Sequence, residues 1–169
     1  MSAPENSIAA ALRGANPKVM ARMRTGFAVI GDTQHLPGYS LLLTDDLEVN
    51  HLTDLPWSRR RDFLFDLSLV GEAVFAVTRE QGANRINYEV LGNSWPHLHG
   101  HVHARYEWEP RDKIGGPVWR YPKERRNAAE HAYDHARHGE LRAAITAQLK
   151  RVMGEAYGPL DAPQVTEPS

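Results

Sequence analysis

The alternation of hydrophobic and polar residues along the chain predicts several strands and one long helix. Short apolar runs bounded by turn residues predict strands at 27–30 and 39–44, and Pro37-Gly38 marks the loop between them. Between 44 and the next predicted strand at 85–91, apolar residues recur at steps of three and four over 62–80, which predicts a helix with one buried face. These elements predict an α+β fold in which the helix packs across an antiparallel sheet.

Patterns are weaker in the C-terminal part of the chain. Residues 106–127 show little periodicity, and their basic residues with Trp108 and Trp119 could contact distal phosphates or a base, although the composition is more typical of an ordered surface segment. Asn127 and Glu130 resemble a capping box, so a helix is predicted over 128–138, and an apolar stripe continues beyond it. We therefore predict four regions, an N-terminal arm (1–17), a main domain (18–112), a C-terminal segment and helix (113–157) and a disordered tail (158–169).

Four histidines occupy every second position of one segment, and we call them the histidine row: His97, His99, His101 and His103. In an extended strand they share one face at intervals of about 6–7 Å, and Gly100 leaves a gap on the opposite face where another element can approach. Three interpretations follow from the residues alone. The imidazoles could be satisfied by hydrogen bonds, they could bind a metal such as zinc or copper, or one could attack phosphorus or a carbonyl while its neighbours stabilise the oxyanion.

The segment around the histidine row resembles the signature of the histidine triad nucleotide hydrolases and transferases. That signature is His-x-His-x-His followed by two apolar residues, and it resembles residues 97–102. Asn93-Ser94-Trp95-Pro96 is similar to the Asn-x-x-Pro that precedes the triad in the diadenosine-polyphosphate-hydrolase-like branch, and 32–38 is similar to the family's Asp-x-x-x-x-Pro-Gly turn. The chain departs from the signature at Gly100, where a bulky apolar residue is usual, and at 103–105, where apolar-Pro-Arg is commoner. The first departure could loosen the packing behind the triad.

The resemblance implies a histidine triad domain that cleaves at the α-phosphate of a dinucleoside polyphosphate or nucleoside phosphoramidate. His99 would be the nucleophile that forms a covalent nucleotidyl-histidine, with its other ring nitrogen hydrogen-bonded to a backbone carbonyl of the motif. His97 and His101 would stabilise charge on the phosphate. An apolar slot near 27–30 is a candidate for the purine. The resemblance further implies that Asp32 binds the ribose hydroxyls and that Asn93 contacts the phosphate, with Ser94 beside it. His103 and Arg105 are two more candidates for substrate binding.

Composition and charge limit the class of protein and the kinds of partner. The chain has 169 residues, of which 41% are hydrophobic and 24% charged, as is usual for a soluble globular protein. It has no cysteine, which excludes disulfides and thiol catalysis, and a formal net charge of −1, which does not favour nucleic acid or an acidic membrane as partner. Neither a membrane span nor a signal peptide is recognisable, so we expect a cytoplasmic protein. The resemblance implies a homodimer and no required cofactor, with any divalent cation arriving in complex with the substrate.

Two other functions stay open at this point. A non-catalytic nucleotide-binding module on the same fold would explain the departures at Gly100 and His103. A metalloprotein would use the histidine row as ligands, because neutral imidazole binds several transition metals. The patterns of the sequence do not separate these alternatives from an enzyme.

Overall fold

A five-stranded antiparallel sheet lies at the centre of the computed structural model, which describes residues 7–158. Each strand pairs antiparallel with its neighbours, in the order β1-β2-β3-β5-β4. The α+β prediction is therefore confirmed, and residues 18–24, which the sequence allowed as a helical turn or an edge segment, contain the edge strand β1. The strands are β1 (Val19–Arg22), β2 (Gly26–Ile30), β3 (Ser40–Thr44), β4 (Ala83–Val90) and β5 (His99–Tyr106).

Two long helices cover one face of the sheet. Helix α2 (Trp57–Thr78) contacts β3, β4 and β5, and helix α5 (His135–Tyr157) packs against α2 and β1. Apolar residues of both helices and of the inner strand positions form one core, so the predicted C-terminal helix packs directly onto the predicted main domain. Helix α2 begins five residues before the predicted position, directly after Pro56, because proline is well tolerated at a helix start. Three short helices complete the described chain: α1 (Ser7–Leu12), α3 (Arg111–Ile114) and α4 (Lys123–Arg126).

Gly100 allows α2 to approach the middle of β5 closely. A Cβ atom built at Gly100 would lie 2.6 Å from Leu67 Cδ1, a distance at which one of the two groups must move. Leu67 is 3% exposed and belongs to the main core. The gap predicted at Gly100 is thus filled by a leucine side chain, and the loose packing expected behind the triad does not occur.

The opposite face of the sheet carries the histidines and a smaller apolar cluster. Paired positions place Leu41 beside His101 and Leu43 beside His99, so these side chains share one face. Helix α1 covers part of this face, where Ile8 packs in a cluster with Leu43 and Phe27. A part of the predicted N-terminal arm therefore contributes to the fold, while residues 1–6 lie outside the described chain, as do 159–169 of the predicted tail.

The helix predicted over 128–138 is wrong for 128–134 and confirmed from His135 onward. Residues 129–131 form a short 3₁₀ turn, and α5 begins at His135, where the Asp134 carboxylate accepts a hydrogen bond from the Arg137 amide at 3.0 Å. The backbone before α5 is held by the β2–β3 loop: the Gln34 amide donates to the His131 carbonyl, and the Tyr133 amide donates to the Asp32 carbonyl. These tertiary hydrogen bonds outweigh the weak local helix signal.

A buried ion pair fixes the segment that follows β5. The Glu109 carboxylate, 4% exposed, accepts hydrogen bonds from the Arg105 guanidinium at 2.8 and 2.9 Å. It also accepts from the Tyr106 amide at 2.8 Å and from the Tyr121 hydroxyl at 2.9 Å. The segment 107–127, which has little periodicity in the sequence, is therefore held beside the histidine face by a buried polar network.

Candidate functional site

Strand β5 presents three members of the histidine row side by side. The ring centroids of His99 and His101 are 4.7 Å apart, and those of His101 and His103 are 6.0 Å apart. His97 lies just before the strand and is half-buried, and the Trp95 ring lies 5.2 Å from His97 and 5.1 Å from His99. The period-two spacing of the sequence therefore does place the imidazoles on one face.

The hydrogen bond at His99 determines which of its nitrogens can react. His99 Nδ1 lies 2.6 Å from the backbone carbonyl oxygen of His97. A carbonyl oxygen only accepts, so Nδ1 carries the proton and Nε2 of the neutral ring carries the lone pair. Burial lowers the pKa of His99, and although the carbonyl hydrogen bond opposes this shift, the pKa stays below its ordinary value. His99 therefore has the tautomer that a nitrogen nucleophile needs.

His101 is hydrogen-bonded to a tyrosine of the neighbouring strand region. Its Nδ1 lies 2.7 Å from the hydroxyl of Tyr39, which directly precedes β3. Burial, together with the neighbouring His99 and His103, lowers the pKa of His101 to about 3, while burial raises the pKa of the Tyr39 phenol. Both partners are therefore uncharged at neutral pH.

His103 is the most enclosed member of the row. It is 4% exposed, and its ring stacks on that of Tyr39 with centroids 4.2 Å apart and planes at 5°. Its Nδ1 lies 3.5 Å from Glu89 Oε2 on β4. Burial lowers the pKa of His103, although the nearby Glu89 opposes this shift. Burial would raise the pKa of Glu89, but the neighbouring His103 and Trp119 side chains hold it below its usual value. A neutral imidazole thus faces a carboxylate at the inner end of the row.

A cavity of about 760 Å³ opens beside the histidine row, a volume typical of small-molecule sites. Trp95, Trp119, Tyr39 and His103 all line it. The Trp119 ring meets His101 edge-on at 5.3 Å and His103 at 5.7 Å, so the two tryptophans flank the row from opposite ends. His97, His99 and His101 are not themselves part of the lining, although the His99 ring lies 5.1 Å from Trp95 and the His101 ring 5.3 Å from Trp119. Apolar side chains of the sheet form one wall: Val29, Ile30, Leu41 and Leu43.

Charged residues lie at the rim of this cavity. Asp32, which follows β2, has an 81% exposed side chain and forms an ion pair with Lys18 Nζ. Arg126 also lines the cavity, and its guanidinium lies 4.7 Å from the centre of the Trp119 ring. The cavity therefore combines an apolar wall with carboxylate, ammonium and guanidinium groups, which suits a ligand with both a flat apolar part and polar substituents.

Solved structures with the same architecture belong to histidine triad proteins. A histidine triad protein from Marinobacter aquaeolei VT8 is similar with a TM-score of 0.64 and 21% identity, covering 79% of this chain and 89% of that chain. One from Sinorhizobium meliloti 1021 has a TM-score of 0.64 and 22% identity, covering 77% and 87%. The chain has the histidine triad fold. A hypothetical histidine triad nucleotide-binding protein from Sulfolobus tokodaii strain7 shares this histidine triad fold, with a TM-score of 0.64 and 14% identity, covering 88% and 93%. No protein-family model and no curated protein sequence matched the chain.

Not all of the site residues expected from the sequence lie at the cavity of this histidine triad fold. Asp32 and His103 line it, whereas Asn93 and Ser94 are exposed in the β4–β5 loop outside the lining. Arg105 is 2% exposed, and its guanidinium donates to Glu109, to the Asn87 side chain and to the carbonyls of Gly116 and Lys113. All five of its N–H groups are thus used within the protein, and the structure gives Arg105 an anchoring role.

Several residues at the site were not recognised in the sequence. Tyr39 precedes a strand and carries no motif, and only the pairing of β3 with β5 brings it to His101. Trp119, by contrast, was named from the sequence together with Trp108 as a possible contact to a base or phosphate. Of these two tryptophans it alone lines the cavity, whereas Trp108 stacks on Tyr106 at 4.8 Å. His35 lines the cavity too, and burial with the nearby His131 lowers the pKa of His35 to about 4.

The described residues contain neither a metal-binding cluster nor a membrane-spanning helix. Among residues 7–158, no group of three histidine, aspartate or glutamate side chains is arranged to hold a metal ion, so the metal interpretation of the row gains no support. No helix in this part of the chain is both long and apolar enough to cross a membrane.

Proposed function

We propose that this protein is a nucleotide hydrolase or transferase that cleaves at the α-phosphate of a dinucleoside polyphosphate or nucleoside phosphoramidate, as the diadenosine-polyphosphate-hydrolase-like branch does. The observation that carries the proposal is the 2.6 Å contact from His99 Nδ1 to the His97 carbonyl. It leaves Nε2 as the basic nitrogen of a neutral imidazole, which is the state that attacks an electrophile.

The cavity beside the row accommodates the nucleoside in this proposal. Its apolar wall, which includes Val29 and Leu41, provides a surface for a planar base, and Trp95 and Trp119 add aromatic faces. Asp32 at the rim accepts hydrogen bonds from the ribose hydroxyls. Phe27, which the sequence also suggested for the base, packs in the smaller apolar cluster instead. The Sulfolobus tokodaii protein is described as nucleotide-binding, which supports a nucleotide as the class of ligand proposed.

The proposed reaction has two displacements at phosphorus. The lone pair of His99 Nε2 forms a bond to the α-phosphorus, and the bond to the leaving group breaks with its electron pair on the leaving atom. A leaving nitrogen takes up a proton from solvent as it departs, whereas a phosphate oxygen leaves as the anion. Water then forms a bond to the same phosphorus, the phosphorus–nitrogen bond breaks, and the water proton passes to solvent. Two steps replace one difficult displacement, and His97 and His101 stabilise the charge on the phosphoryl oxygens by hydrogen bonding.

Other parts of the proposal rest on the sequence resemblance alone. The mechanism requires no bound cofactor, and a divalent cation would enter as part of the polyphosphate substrate. A homodimer and a cytoplasmic location remain predictions. Asn93 and Ser94 lie in the loop directly before the row, and we propose that they contact the phosphate when substrate is bound.

Intact-mass measurement tests the covalent step directly. We expect the protein mixed with diadenosine tetraphosphate, then quenched at mildly alkaline pH because phosphohistidine is acid-labile, to gain the mass of one nucleotidyl group. The variant His99→Ala should gain none, because the nucleophile is absent. Its fold should survive, and circular dichroism checks that it does.

A matched control shows whether the loss of the adduct is specific to His99 or follows the loss of any histidine. His135 is exposed at the start of α5, and His135→Ala should form the adduct at the wild-type rate. Turnover that persists in His99→Ala would refute the assignment of His99. Nucleotide binding measured by calorimetry without any adduct or product would instead support a non-catalytic binding module.

A further inference from the structure

We propose that Tyr39 is a positioning residue that holds His101 in the tautomer with its proton on Nε2, so that His101 offers a fixed, neutral N–H donor to the phosphoryl group. The tautomer itself is a property of the free protein. The role at the phosphoryl group rests on the proposed function. The two parts can therefore be tested separately.

The structure holds the Tyr39 ring between two surfaces. One face stacks on His103, with centroids 4.2 Å apart and planes at 5°. On the other side the ring packs onto the backbone at Gly31, where an added Cβ would lie 2.2 Å from Tyr39 Cδ1. The Gly31 amide also donates to the Tyr39 carbonyl at 2.8 Å. With ring and backbone both held, the hydroxyl has one accessible position, at 2.7 Å from His101 Nδ1.

The direction of this hydrogen bond follows from what each partner can accept. Within residues 7–158 the Tyr39 hydroxyl has a single hydrogen-bond partner, His101 Nδ1. If Nδ1 carried the proton, the phenolic O–H would have no acceptor in a partly buried position, which costs free energy. The arrangement that satisfies both groups has the O–H donating to Nδ1, and the ring proton of neutral His101 is then on Nε2.

The groups that face His101 keep it neutral. On its own strand these are His99 and His103, and from the other elements they are Glu89, Tyr39 and Trp119. Burial and the two histidines lower the pKa of His101 to about 3, against the opposing effect of Glu89. If His101 gave up its Nε2 proton, it would become an imidazolate, or it would take the hydroxyl proton of Tyr39 and leave a tyrosinate. Burial raises the pKa of Tyr39, and neither anion is favourable in this position. His101 therefore stabilises charge as a hydrogen-bond donor and keeps its proton.

Nitrogen-15 NMR of the histidine rings tests the tautomer without any nucleotide. In the wild-type protein we expect the His101 resonances, assigned by their loss in His101→Gln, to show Nε2–H throughout pH 5–8. In Tyr39→Phe, which keeps the ring and its stacking, the Nδ1–H form should appear. Tyr157→Phe is the matched control. Tyr157 is the last residue of α5, and its hydroxyl donates to the Asp66 carboxylate of α2, so its loss should leave the His101 tautomer unchanged. A wild-type spectrum with Nδ1–H or imidazolium in this pH range would overturn the proposal.

Leaving-group dependence tests the role at the phosphoryl group. Single-turnover adduct formation would be measured with adenosine 5′-(4-nitrophenyl phosphate), whose leaving group needs no proton, and with an alkylamine phosphoramidate of adenosine, whose leaving group does. A donor to a phosphoryl oxygen serves both substrates alike, so Tyr39→Phe should slow both by the same factor, about 10-fold. A much larger loss with the phosphoramidate would mean that His101 acts as a general acid and would overturn this role. Absence of adducts in the wild-type protein would refute the proposed function, while the NMR result would still stand.

Discussion

Replacing Glu109 by alanine should destabilise the protein strongly, because this carboxylate is the centre of the buried network beside the histidine face. It is 4% exposed and accepts hydrogen bonds from the 2%-exposed Arg105, from the Tyr106 amide and from the Tyr121 hydroxyl. Removal of the carboxylate leaves a buried guanidinium without its counter-charge. Breaking one side of such a pair costs about 3–5 kcal/mol.

That cost is a large part of the total stability of a typical domain, which is about 5–15 kcal/mol. With a urea m-value of about 2 kcal/mol per molar, the unfolding midpoint of Glu109→Ala should fall by about 1.5–2.5 M. The equilibrium would be followed by circular dichroism at pH 7. Glu107→Ala is the matched control, because Glu107 is exposed two residues earlier, and its free energy of unfolding should change by less than about 0.5 kcal/mol.

The pH dependence gives a second check of the same reasoning. Burial would raise the pKa of Glu109, but hydrogen bonds from Arg105, the Tyr106 amide and Tyr121 outweigh burial and lower it. A depressed pKa contributes stability above the unfolded value of about 4.3, and this contribution disappears as pH falls through the folded value. The difference between wild type and Glu109→Ala should therefore shrink in acid. A loss below about 1 kcal/mol at pH 7, or a difference that grows in acid, would refute the assignment of this network.

Two further predictions concern the nucleophile and the packing behind it. Because burial lowers the pKa of His99 and only the neutral ring attacks, adduct formation should keep its rate as pH falls below about 6.5, the ordinary histidine value, and a rate profile with an inflection at or above that pH would contradict the buried, neutral His99. Gly100→Trp should lower the free energy of unfolding by about 1–3 kcal/mol, because its side chain needs the space of Leu67, and Leu67→Ala in the same chain should recover part of that loss in urea denaturation. Equal stability of wild type and Gly100→Trp would show that α2 does not lie tightly against Gly100.

Local spacing in the sequence was sufficient for the histidine row and for the main elements. A period of two places His99, His101 and His103 on one face of any strand, whatever its neighbours are. The three-and-four spacing over 62–80 likewise predicts a helix with one buried face. These features are properties of a single segment, so they can be read without knowledge of the fold.

The C-terminal half was harder to predict because its conformation depends on contacts with distant segments. The turn at 129–131 is held by backbone hydrogen bonds to the β2–β3 loop, nearly a hundred residues earlier in the chain. Residues 107–127 have no period, and their course depends on the buried carboxylate of Glu109. Capping signals and composition describe only neighbours in sequence, so they predicted that the helix begins at 128, whereas tertiary hydrogen bonds delay its start to His135.

The sequence by itself determined that the imidazoles of His99, His101 and His103 share one face of a strand and that a helix packs behind them. Only the tertiary structure decided which groups meet those imidazoles. The pairing of β3 with β5 brings the Tyr39 hydroxyl to His101, and the Glu109 network holds the segment that carries Trp119 against His103. Spacing along a strand follows from covalent geometry, whereas contacts between distant segments follow from the packing of the whole chain.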